Sequence, residues 1–111
     1  MALLTIQTIN VAGLNPTFSA VNSSDTINPY GIADRLYLEV HNANAGSCTV
    51  TLTDAGKTDG GSSAANPTVS VPATTGVRKI FIDPRFVDPT TGLITVSYSV
   101  TASVTAGLFT L

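Results

Sequence analysis

Apolar and polar residues alternate with period two in short runs along this chain, as expected for strands with one face on a core and the other in solvent. Over residues 35–41, Leu36, Leu38 and Val40 alternate with Tyr37, Glu39 and His41. Over residues 48–54, Cys48, Val50 and Leu52 alternate with Thr49, Thr51 and Thr53. The intervening Ala43-Asn44-Ala45-Gly46-Ser47 has turn composition, so the two runs predict a hairpin. Further strands are expected at residues 3–9, 17–21, 68–71, 77–82, 93–99 and 103–109. No segment places apolar residues at i, i+3, i+4 and i+7 over three turns, the signature of an amphipathic helix. About eight short strands at this spacing predict an all-β fold: a small antiparallel β-sandwich, jelly-roll-like, or a compact β-barrel.

The length of 111 residues corresponds to a single β domain spanning residues 1–111. Folding at this size buries roughly two thirds of the unfolded surface, enough for one modest core. The strand pattern breaks at residues 55–67, a Gly-, Ser- and Ala-rich stretch expected to form a flexible loop.

Charged residues make up only 11% of the chain, against about 25% in an average soluble domain. Seventeen Thr and ten Ser supply the polar surface instead, and hydroxyls lose less side-chain entropy than long charged chains when a partner covers them. This favours a protein built to pack against others. A net charge of −2 with five basic residues excludes a nucleic-acid footprint, which needs clustered Lys and Arg; only Arg78, Lys79 and Arg85 lie near one another in sequence. The single Cys48 excludes an internal disulfide or cysteine-based zinc site and reads as a small core residue. No apolar run reaches membrane-spanning length, and the first residues lack a basic, apolar leader. The expectation is a protein without membrane association that folds where it is made.

Chemically capable side chains are few. His41 is the only imidazole, and Glu39 shares its strand face, which reads either as a two-ligand metal pair or as an exposed polar face. Asp25, Asp34, Asp54, Asp59, Asp83 and Asp88 are assigned to turns or strand ends, where Asp commonly accepts from backbone two residues on. There is no tryptophan to build a sugar platform. The expectation is therefore a non-enzymatic protein without cofactor or metal. Two Asp-Pro steps, Asp83-Pro84 and Asp88-Pro89, predict a stiff bend after a strand ending at Ile82. The bend carries Arg85 and Phe86, with Phe86 as a plug for one end of the fold or as an interface anchor. Thr90-Thr91-Gly92 supplies the turn into a last hairpin, with Gly92 suited to positive φ.

The chain resembles the head decoration, or capsid cement, proteins of tailed bacteriophages, especially those infecting actinobacteria. The likeness rests on a Thr/Ala-rich opening over residues 5–14, an extended strand over residues 35–42, and a closing pattern approximated by Pro84, Phe86, Asp88, Gly92, Ile94, Val96, Tyr98 and Ser99. It implies a structural virion protein, made in the host cytoplasm, that sits on the capsid exterior and bridges subunits. The implied partners are the major capsid protein and further copies of the chain, as a homotrimer. Candidate interface residues are Arg78, Lys79, Pro84, Arg85, Phe86, Leu3, Leu4 and Phe109. The alternative is a tail- or fibre-associated surface- or carbohydrate-binding β-module using Tyr30, Tyr37 or Tyr98 as platforms. A small hydrolase based on His41 is a third reading.

Overall fold

The computed structural model describes residues 3–29, 35–54 and 66–111. Among them are nine strands: β1 (Ile6–Thr8), β2 (Ser19–Ala20), β3 (Ser24–Ile27), β4 (Leu36–Asn42), β5 (Cys48–Leu52), β6 (Thr68–Val71), β7 (Gly76–Phe81), β8 (Ile94–Tyr98) and β9 (Val104–Thr110). They form two sheets. One has the order β1-β9-β4-β7, with β2 also on β9; the other has the order β3-β8-β5-β6. The described residues contain no α-helix. The chain is an all-β sandwich, antiparallel except where the N-terminal segment joins it: β1 runs parallel to β9, and Leu3 makes a parallel bridge to Thr26.

The strand order has a simple origin. β2 pairs with β9, β3 with β8, β4 with β7 and β5 with β6, so the chain is one long antiparallel ribbon rolled into two layers. This is jelly-roll topology. The apolar alternation allows the roll because each strand presents one greasy face to the opposite sheet. Leu36, Leu38 and Val40 of β4, Cys48, Val50 and Leu52 of β5, and Ile94, Val96 and Tyr98 of β8 all enter one buried cluster. Cys48 behaves as a core residue, fully buried with Sγ 3.4 Å from the Val100 carbonyl.

Two predicted hairpins are corrected. β4 and β5 belong to different sheets, as do β8 and β9, so each pair is an arch across the core. Alternation does not distinguish them: a strand with one apolar face reads the same whether its successor lies beside it or opposite it. A third correction concerns Asp25. It lies within β3 and is 1% exposed, whereas its type suggested a turn. It is tolerated there because Asn22 donates both its backbone N–H (3.3 Å) and its side-chain amide (2.9 Å) to the carboxylate. The expected strand over residues 3–9 shortens to Ile6–Thr8.

Loops at one end of the sandwich are tied by Asn42, which is 2% exposed. Its amide nitrogen lies 3.0 Å from the Gly46 carbonyl, 3.2 Å from that of Val71 and 3.1 Å from that of Pro72, and its oxygen accepts from Asn44 N–H at 2.9 Å. The loop predicted over residues 55–67 lies outside the described residues except at Asn66 and Pro67. There the Pro67 carbonyl accepts from Leu52 N–H at 3.1 Å, and Asn66 accepts from Asp54 N–H at 2.9 Å.

Candidate functional site

The predicted interface residues fall in separate places. Arg78 and Lys79 lie exposed on β7, one edge of the five-stranded sheet. Leu3, 53% exposed, and the partly buried Leu4 lie on the N-terminal segment, where it joins Thr26 at the β3 edge of the four-stranded sheet. Pro84 and Arg85 sit exposed in the bend, a short 3-10 turn at Pro84–Phe86. That bend forms as its sequence dictates. Asp83 accepts from Arg85 N–H at 3.0 Å, Asp88 accepts from Thr90 N–H at 2.8 Å, and Gly92 takes φ +74°. The Arg85 guanidinium lies 5.1 Å from the centre of the Phe86 ring. Phe86 itself is buried in the main core. Phe109 is also buried, at 3% exposure.

The burial of Phe109 has a specific cause. Its side chain lies on the outward face of β9, where residues 9–18 fold back over the sheet. The return is fastened by a side chain acting as backbone: the Gln7 amide donates to the Thr17 carbonyl at 2.8 Å and its oxygen accepts from Thr17 N–H at 2.8 Å. Gly107 makes the close approach possible, since a Cβ there would sit 2.9 Å from the Thr17 carbonyl oxygen and from the Phe109 ring. Phe18 then packs against His41 (centroids 4.4 Å) and Phe109 (5.7 Å), and Tyr37 stacks on Phe109 at 5.4 Å with planes 26° apart. Between this overlying segment and the outward face of β4 and β9 lies an open cleft of about 490 Å³, bordered by Leu14, Pro16, Phe18, Tyr37, Glu39 and His41.

Glu39 is the polar centre of the cleft. Its carboxylate takes the His41 Nε2 at 2.6 Å and the Lys79 Nζ at 3.1 Å, Lys79 standing directly across from it in the β4–β7 register. Burial opposes ionisation of Glu39, but the hydrogen bonds from His41 and Lys79, with their charge, outweigh burial and hold its pKa below the usual carboxylate value. Glu39 and His41 thus bond to each other, and the described residues contain no group of three or more metal-ligating side chains.

Of the two described tyrosines among the three considered as platforms, Tyr37 borders this cleft and Tyr98 does not. Tyr98 is 6% exposed and its hydroxyl is buried without a hydrogen-bond partner; burial, with the nearby Asp25 charge, pushes its pKa strongly upward. Tyr30 lies outside the described residues, as do Asp34 and Asp59. Sequence reasoning missed Phe18 as a site residue and named Phe109 only as an interface residue, not as part of this cleft. The available signal was the Gly- and Pro-punctuated stretch around Gly13 and Pro16 ahead of Phe18, which marks a turn-rich connection rather than a strand.

No protein-family model, curated protein or solved structure gives a significant match to the chain.

Proposed function

We propose that the protein is a non-enzymatic structural component of a phage virion that binds the outer surface of the icosahedral head and bridges neighbouring capsid subunits. The observation that carries this reading is the set of large apolar side chains left in solvent on a chain with little charge. Val11 is fully exposed, Leu111 is 74% exposed, Phe81 58%, Leu3 53% and Val77 41%. Such residues gain free energy when a partner covers them, at about 25 cal/mol per Å² of apolar surface removed from water. Val77 and Phe81 lie on the β7 edge of the five-stranded sheet and Leu3 lies against the β3 edge of the other sheet, a spread that suits a protein held between neighbours rather than at one spot. Jelly rolls recur in viral capsid domains, a supporting analogy at the level of fold alone.

Bridging stabilises a shell because rupture must expose each covered seam, and many copies add their effects. The test is the composition of purified heads and tails by quantitative mass spectrometry, combined with surface labelling of intact heads. Stoichiometric, externally labelled protein on heads is the expected result. Recovery only in tails, or absence from particles, overturns the proposal.

A further inference from the structure

We propose that the cleft between residues 9–18 and the outward face of β4 and β9 is a binding site for a neutral saccharide, with Tyr37 as stacking platform and Glu39 as hydroxyl acceptor. This goes beyond the capsid-surface reading and does not depend on it.

The cleft selects its ligand by elimination. Its volume of about 490 Å³ lies within the roughly 300–1,000 Å³ of small-ligand sites. An anionic ligand would meet the Glu39 carboxylate. An organic cation gains little, because Lys79 at 3.1 Å and His41 at 2.6 Å already answer that charge. A purely apolar ligand would strip water from Glu39 and His41 without replacing its hydrogen bonds, a substantial cost. A pyranose ring meets both demands: its C–H face covers the Tyr37 ring and its hydroxyls donate to the carboxylate, which retains unused lone pairs beyond its two present partners.

Two features make the site more than a gap. The wall is pre-organised, since the paired Gln7–Thr17 hydrogen bonds and the clearance at Gly107 hold residues 9–18 in place before any ligand arrives. The aromatic surface also continues past the cleft. Phe109, Tyr37 and Phe81 stand side by side across β9, β4 and β7, and Phe81 is 58% exposed. This row would carry a second sugar unit, so oligosaccharides should bind more tightly than monosaccharides.

The experiment probes the intact chain on an array of neutral hexose and N-acetylhexosamine oligosaccharides, alongside sialylated and sulphated ones, with titration of the hits by calorimetry. Saturable binding of a neutral glycan is expected, weakened about tenfold or more by Tyr37→Ala and by the near-isosteric Glu39→Gln. Phe81→Ala, on an exposed side chain, should weaken oligosaccharides while leaving monosaccharides unchanged. Circular dichroism establishes that each variant is folded. The proposal is overturned if no neutral glycan binds, if only acidic glycans bind, or if folded Glu39→Gln and Phe81→Ala both bind as the parent does. Head and tail fractionation decides the virion reading separately.

Discussion

Truncating Asn42 to alanine removes the group that accepts from one backbone N–H and donates toward three carbonyls at the end of the sandwich. Because the site is buried, those groups are left without water, and the expected loss is about 1–3 kcal/mol. Urea denaturation should show a lower midpoint at an unchanged slope. Glu39 gives a pH-dependent counterpart. Its pKa is lower in the folded protein than the ordinary value of 4.5, so the unfolded chain binds the proton more tightly. The stabilisation is therefore complete above the ordinary value and is lost as pH falls through the lower, folded one. Urea midpoints for parent and Glu39→Gln should differ at neutral pH and converge in acid; a gap that persists at low pH would contradict the assignment.

The segment of residues 9–18 is the element that makes the cleft, and Gln7 is its fastener. Gln7→Ala should leave the denaturation midpoint nearly unchanged while speeding proteolytic cleavage within residues 9–18, measured by limited proteolysis and mass spectrometry. Equal cleavage rates would show that the aromatic contacts of Phe18 suffice. Strands of this protein were largely legible in the sequence, because period two is a local property set by which face meets the core. Partnership was not legible, since β4–β5 and β8–β9 carry the same alternation whether they form hairpins or arches. β3 was hidden for another reason: Asp25 has turn chemistry, and tertiary contacts such as those from Asn22 reconcile it with burial. Within the cleft, Tyr37, Glu39 and His41 could be placed on one face from parity alone. Phe109 joined them through the pairing of β9 with β4 and Phe18 through the fold-back, neither of which spacing encodes.

At the scale of the molecule, the two edges of the five-stranded sheet are handled differently. β7 is left open but carries Arg78 and Lys79, charges that discourage another strand from pairing there. The opposite edge is covered by β1 and β2, both seated on β9. The rolled ribbon also has a consequence for how the chain can be divided. Among the described residues every pairing of strands joins β1–β5 to β6–β9, and the bridge between Leu3 and Thr26 is the one strand-like pairing within the first group. Neither half owns a sheet. A chain cut within residues 55–65 should yield two fragments that are each unstructured by circular dichroism and that regain the strand spectrum on mixing; a fragment that folds cooperatively alone would refute this. The connection between β5 and β6 is thus a natural place to split the protein into two inert pieces whose reunion reports that they have met.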